Sequence, residues 1–420
     1  VSAEKTVLVQ VNSLALGGTQ INAVDLARAV ARHGYRSILY GPLDSLPASG
    51  ADLREVAAAR GVELHGFRPP ATVASGAARE LRERADAIGA DLVHLYGTWG
   101  GARNAYWGPC RFGRLPFVQT AYETVVDPSV YRHNSLIVGT GYHRDELAGR
   151  PGPTSFISPP VDLAADSPDP GLAAPFRDQL GALGDRPLIV IVSRLDQYLK
   201  GFAVETGVRA MEHLADTDAA LVVVGTGTEE PRLRALGDEI NRRAGREMVR
   251  FIGAMHDPRP AYAAADIALG MGNSAARSLA FETPVVVHGE WGTTEVFGPE
   301  NAESLFHRNF WNPDVQEHAA QVQASVLRSL IDAPARRERL GRFGRAFAAE
   351  NFGLDAMARR LAGVYDQALK SYRLRAWVGD LGGELPKLAA LVGRRARWRP
   401  QAAATADTEV LRAGSLGRSA

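Results

Sequence analysis

The chain has 420 residues, too many for one ordinary hydrophobic core, so two domains are expected. A formal net charge of +1 and a hydrophobic fraction of 45% mark a globular protein and give no sign of a nucleic-acid binder. A single cysteine, Cys110, excludes an internal disulfide and a cysteine-rich metal site. VSAEKTVLVQVNSL at the start lacks a basic stretch followed by an apolar run of signal length, and no 18-residue apolar span occurs. A soluble cytoplasmic protein is the default expectation. Arginine dominates over lysine and alanine and glycine abound, as in proteins of GC-rich bacteria.

TVLVQVNSL (6–14) reads as a strand with a polar end. Gly17-Gly18 follows, then INAVDLARAVARHG, whose apolar spacing is helical and which Gly34 stops. YRSILYGP is the next strand. This βαβ opening lacks the full G-x-G-x-x-G spacing. Gly17-Gly18 is either a tight strand-to-helix turn or a place where a ligand approaches the backbone, with helix amides aimed at it. ADLREVAAARG and AARELRERADAIGA read as helices, and DLVHLYGTWGG (91–101) as a strand with His94, Tyr96 and Trp99 near its end. FVQTAYE (117–123), which includes Tyr122, and SLIVGTG (135–141) are further strands with polar ends. The strand–helix alternation predicts a complete doubly wound α/β domain over about residues 1–160. TSFISPPVDLAADSPDP (154–170) reads as an interdomain linker.

From 188 the pattern repeats. LIVIVSRLD, ALVVVGTG, VRFIGAM and PVVV are short, nearly continuous apolar runs, as in parallel strands covered on both faces. Ligands of open α/β sheets bind at the C-terminal ends of such strands. Arg194 and Lys200 stand six residues apart at such an end. An arginine fork and a lysine point charge suit a diphosphate, and together they stabilise a leaving phosphate without a metal. Gly225 sits in a glycine-rich turn that can pass near a ligand, and Ile252 or Met255 can lie beneath a base. In GMGNSAARSLA (270–280), Gly270 and Gly272 permit a tight turn. Asn273 or Ser274 is placed to cap the next helix, leaving the amides of Ser274, Ala275 and Ala276 to face an anion. Thr293, Thr294 and Glu295 close the cleft. No H-E-x-x-H, C-x-x-C, G-x-S-x-G or Walker motif occurs.

In combination, LGGTQINAVDLARAVARHGY (16–35), DLVHLYG (91–97), ISPPVD (157–162), SRLDQYLKGF (193–202), VVVGTGTEEPRL (222–233), VRFIGAMHDPRPAYAAAD (249–266) and SLAFETPVVV (278–287) resemble the family-4-like retaining glycosyltransferases of GT-B fold. The likeness spans about residues 6–368. It implies two Rossmann-like domains facing a cleft. The acceptor would bind domain 1–160 and the donor domain 161–345, with residues 346–373 crossing back and 374–420 forming a basic, partly flexible tail. It also implies a nucleoside-diphosphate-sugar donor, UDP- or GDP-linked, and no obligatory metal. The family's R-x-x-x-x-x-K pair falls on Arg194 and Lys200, and its glycine-rich donor turn on Gly270–Asn273.

Two departures stand out. Counting back from Pro284, the position of the family's ribose-binding Glu is held by Arg277, expected to bind phosphate or ribose in its place or simply to cover the helix. The His of the T-x-H motif is replaced by Tyr122. The expected donor set is thus Gly17, Gly18, Gly225, Ile252, Gly272, Asn273, Ser274, Arg277, Thr293, Thr294 and Glu295. On the acceptor side the set is His94, Tyr96, Trp99 and Tyr122. The expected partners are a small-molecule donor and acceptor, with a homodimer open and no nucleic acid. A small soluble acceptor, as in bacterial natural-product or thiol metabolism, is favoured over a polymer. The alternatives are a catalytically inactive nucleotide-sugar-binding protein and a phosphorylase or epimerase of similar architecture.

Overall fold

A computed structural model of the chain describes residues 4–45, 52–68, 75–97, 99–122, 126, 131–255, 257–371 and 373–397. The first sheet holds seven strands: β1 (Lys5–Gln10), β2 (Tyr35–Pro42), β3 (Leu64–Phe67), β4 (Leu92–Tyr96), β5 (Phe117–Ala121), β6 (Ser135–Val138) and β7 (Thr154–Phe156). They are all parallel, in the order β3-β2-β1-β4-β5-β6-β7. Strands β4, β5 and β6 are buried at every position, because helices cover both faces and leave no side for polar residues. Side-chain caps start several of these helices: Asp52 accepts from the Arg54 amide at 2.7 Å, and Thr140 from the His143 amide at 3.0 Å.

The second sheet repeats this plan. Its strands are β8 (Leu188–Val192), β9 (Ala220–Val224), β10 (Val249–Gly253), β11 (Ile267–Gly270), β12 (Val285–His288) and β13 (Thr294–Val296), in the order β10-β9-β8-β11-β12-β13. Only β13 runs antiparallel. In each sheet the strand order reverses beside the first strand, between β1 and β4 and between β8 and β11. The helices on either side of that point diverge and leave a crevice. The α/β, doubly wound class expected from the sequence is the observed one.

The chain passes between the two sheets at two neighbouring points. Val161 pairs with Gly353 in a parallel bridge, and each of the two amides Val161 and Leu354 donates to the opposing segment. Before this bridge the Pro334–Asn351 helix packs on the second sheet, where Gly344 touches Leu279. Beyond it the Leu354–Ser371 helix buries Met357, Leu361 and Tyr365 in the core of the first sheet. The passage at 154–170 is not wholly a linker. Its first residues, Thr154–Phe156, complete the first sheet as β7.

The expected tail is also corrected. Leu374–Arg397 forms a helix on the first domain, with Trp377 buried and stacked on Tyr106 at 5.2 Å between ring centres. Its inward residues, Trp377, Asp380, Leu381 and Glu384, recur at helical spacing, a pattern hidden by the basic run that follows. Residues 398–420 lie outside the described residues. Among the described residues, no helix is long and apolar enough to cross a membrane.

Candidate active site

Two strand ends build the site in the second domain. β8 leads through Ser193 and Arg194 into a turn of π-helix, Gln197–Gly201, which carries Lys200. β11 leads through Met271 into the Asn273–Ala280 helix. Lys200 Nζ donates to the Met271 carbonyl at 3.4 Å, so the two segments meet. Burial pushes the Lys200 ammonium down to about 8, and the nearby Arg194 guanidinium adds to the shift. Arg194 itself is 82% exposed, with Asp196 beside it at 3.3 Å. The two cations thus differ. Lys200 is anchored and largely hidden, whereas Arg194 is exposed.

Gly272 supplies the turn, with φ +57, a conformation that side chains other than glycine rarely adopt. It is also the N-cap, and no side chain caps this helix. Asn273 and Ser274 therefore do not cap it as expected; Ser274 Oγ turns back to the Met271 carbonyl at 3.0 Å. The Ala276 amide donates to Gly272, so the amides without a helical acceptor are those of Asn273, Ser274 and Ala275, one residue earlier than expected. Their positive end of the helix dipole opens beside Lys200.

The first domain reaches this turn. A Cβ placed on Gly18 would stand 3.5 Å from Asn273 Nδ2, so the helix start after β1 faces the helix start after β11. Gly17 is the N-cap of the first-domain helix, and Gln20 beside it donates to Asn12 Oδ1 at 2.6 Å. Lys200, Gly272, Asn273, Ser274, Gly17 and Gly18 are thereby brought to one crevice. The β12–β13 hairpin lines its side. Thr294 pairs with His288, and the hairpin tip places Trp291 against Phe202 at 5.9 Å, immediately after Lys200-Gly201. The Thr293 hydroxyl is buried without a protein partner, while Thr294 accepts from Gln323 at 3.2 Å and Glu295 from Asn312 at 3.3 Å.

Several other expected residues turn to partners within the chain. Arg277 does not face a ligand with its fork. Its Nε and Nη2 each donate to Asp166 at 2.7 Å, and its guanidinium lies 5.8 Å from the Tyr262 ring centre. His94 is fully buried, with Nδ1 at 2.7 Å from the Tyr365 hydroxyl and Nε2 at 2.7 Å from Thr120 Oγ1. Burial holds its imidazole neutral, down to about 3. Tyr96 is likewise in the core, packed on His94. Strand-end position suggested both as acceptor contacts, but their alternation on β4 turns them under the Leu354–Ser371 helix. Tyr122 lies past the end of β5, against Gly139, with a buried hydroxyl that has no protein partner. The side chain of Trp99 lies outside the described residues. Gly225, with φ +140, is explained by packing: a Cβ there would overlap the Ser193 carbonyl oxygen. Ile252 is half-buried against the cluster of Phe176 and Val222, two strands away from the β8–β11 crevice.

Sequence reading missed His288. It is fully buried at the end of β12, and burial together with the Lys200 charge lowers it to about 3. The signal was a polar residue directly after the apolar run PVVV. Among the described residues, no group of three or more His, Cys, Asp or Glu side chains is arranged to hold a metal ion.

Comparison with known proteins follows the same lines. Residues 186–326, the second sheet and its helices, match the family described as Glycosyl transferases group 1. A D-inositol 3-phosphate glycosyltransferase of Kineococcus radiotolerans is 28% identical, covering 68% of this chain and 68% of that protein. A glycosyltransferase from Rickettsia africae superimposes with a TM-score of 0.69 at 15% identity, over 87% of this chain and 99% of its own. Anabaena HepE, solved with UDP, does so with a TM-score of 0.64 at 18% identity, over 86% of this chain and 100% of its own. The resemblance drawn from the motifs therefore holds at the level of fold and of the second domain: the chain has the GT-B fold, and its residues 186–326 match the group 1 glycosyltransferases.

Proposed function

We propose that the protein is a retaining glycosyltransferase that moves a sugar from a nucleoside-diphosphate-sugar to a small soluble acceptor. The observation that carries this reading is the Lys200 ammonium, buried against the Met271 carbonyl with the exposed Arg194 as its neighbour. Among the described residues, no carboxylate pairs with Lys200. A buried cation without a counter-charge is costly, and a bound diphosphate would supply that charge. The amides of Asn273, Ser274 and Ala275 add donors for the same oxygens.

In the proposed step the bond between the anomeric carbon and the leaving phosphate oxygen breaks. The acceptor oxygen bonds to the same face of that carbon, and its proton passes to the leaving phosphate. Lys200, Arg194 and the helix amides stabilise the charge that grows on that phosphate, a role two side-chain cations can fill without a metal. UDP- and GDP-sugars are the donors to try first; HepE was solved with UDP-glucose as well as UDP. A polyol phosphate, as named for the Kineococcus relative, belongs among the acceptors.

The alternative, a protein that binds nucleotide-sugars without transfer, is favoured by one observation: Arg277, where the resembled family places its ribose carboxylate, is committed to Asp166. A panel of nucleotide-sugars and acceptors, run in EDTA, separates the two. Acceptor-dependent release of nucleoside diphosphate with a product of retained anomeric configuration supports transfer. Donor binding without release under every acceptor supports the alternative, and an inverted product defeats the mechanism.

A further inference from the structure

The Leu374–Arg397 helix divides its side chains by chemistry in a way that the transfer reaction does not use. Its two described acids are turned inward and hydrogen-bonded. Asp380 accepts from the Arg132 amide and from His133 Nδ1, both at 2.8 Å, and Glu384 accepts from Trp107 Nε1 at 2.9 Å. Trp377 fixes the helix to the domain through its stack on Tyr106. Outward, Leu374, Val378 and Leu385 are 53%, 52% and 61% exposed. At 100° per residue these three fall within about 40° of one another, a single stripe. Phe112, 56% exposed and 5.0 Å from the Trp377 ring, stands beside the stripe's start.

The exposed charges on the described residues of this helix and at its start have one sign. Arg111, Arg373 and Arg375 are exposed, and no acid is exposed among the described residues of the helix. The sequence continues with arginines at 394, 395, 397 and 399. We propose that this face docks on an anionic lipid surface, the helix lying in the plane of the membrane interface. An amphipathic helix with apolar residues on one side and arginines along the border binds there through two additive terms, apolar burial and attraction to acidic headgroups. A second copy of the chain is the poorer occupant, because an antiparallel or parallel pairing of this face would set arginines against arginines. The proposal stands apart from the glycosyltransferase reading: it concerns where the protein sits, and its test reads no turnover.

The test is co-sedimentation of the full chain with vesicles of phosphatidylcholine alone or mixed equally with phosphatidylglycerol. The bound fraction is expected to be about tenfold higher on the mixed vesicles and to fall with added salt. Leu374→Asp/Val378→Asp/Leu385→Asp should reduce it to the phosphatidylcholine level with an unchanged melting temperature. The single variant Leu385→Asp, at the most exposed position, should show an intermediate loss and serves if the triple variant misfolds. Equal sedimentation of wild type and variants would overturn the proposal, as would no binding of the wild type to mixed vesicles. A dimer seen by light scattering and lost in the variants, without vesicle binding, would assign the face to a second copy and overturn it too.

Discussion

Arg277 and Asp166 are joined by two hydrogen bonds of 2.7 Å, one from Nε and one from Nη2. The pair ties the helix that opens at the donor turn to the segment between the two sheets. Asp166 is 5% exposed, so its carboxylate depends on that fork. Arg277→Ala would strand it. A third of the Arg277 side chain is exposed, so the cost should lie below that of a fully buried pair, at about 1–3 kcal/mol. Thermal melting should show this loss, while calorimetry should show nucleoside diphosphate binding within about threefold of wild type. A large loss of affinity with unchanged melting would return Arg277 to the ligand site.

Gly225 joins the ends of β8 and β9 so closely that no side chain fits. Its φ of +140 is strained for any residue with a Cβ, and that Cβ would overlap the Ser193 carbonyl oxygen. Gly225→Ala should therefore cost at least about 2 kcal/mol and move the backbone next to Arg194. Gly18→Ala should be tolerated, since its Cβ would make only an ordinary contact with Asn273 Nδ2 at 3.5 Å. Paired denaturation curves check both.

Burial lowers the pKa of His94 and of His288 from the ordinary 6.5 to about 3. The unfolded chain binds these protons at higher pH than the folded chain does. Stability from neutral burial is thus present above about pH 6.5 and is lost as pH falls towards 3, at up to about 1.4 kcal/mol per pH unit for each histidine. His94→Gln removes one of these sites. Urea unfolding at pH 7 and pH 5 should show a smaller acid loss in the variant, and identical losses would refute the assignment.

The strands and the two-sheet plan were legible because buried parallel strands are written as apolar runs, and the glycines and Lys200 because they follow those runs directly. What the sequence hid was direction. Nothing in DLVHLYG says that His94 and Tyr96 turn beneath the Leu354–Ser371 helix, whose Tyr365 lies 271 residues further on. Nothing local marks Asp166 as the partner of Arg277, since the pair spans 111 residues. The C-terminal helix was obscured because glycines, a proline and arginines weaken its pattern, while its packing depends on Tyr106 and Trp107.

Lys200 offers the most direct test, because stability and activity should move in opposite directions. Its pKa is lowered from the ordinary 10.5 to about 8. The folded chain releases this proton near pH 8 and the unfolded chain only near 10.5, so the charged, buried form costs stability below pH 8, and the cost is relieved as pH rises between those values. Lys200→Met replaces the ammonium with an apolar group of similar length. It should raise stability at pH 7 by on the order of 2–3 kcal/mol, while lowering kcat/KM by about 10²-fold or more, equivalent to about 2.7 kcal/mol of transition-state stabilisation. Arg194→Ala, at an exposed position, should lower kcat/KM by a similar factor and leave stability within about 0.5 kcal/mol. In wild type, nucleoside diphosphate affinity should weaken as pH rises through about 8, since the free protein then loses the charge that binds it. Titration calorimetry across pH 7.5–10, above the ionisation of the phosphate itself, follows that loss, and in Lys200→Met the pH dependence over that range should vanish. Normal turnover in both variants would defeat the phosphate clamp, and an unchanged pH dependence in Lys200→Met would assign the titration to another group.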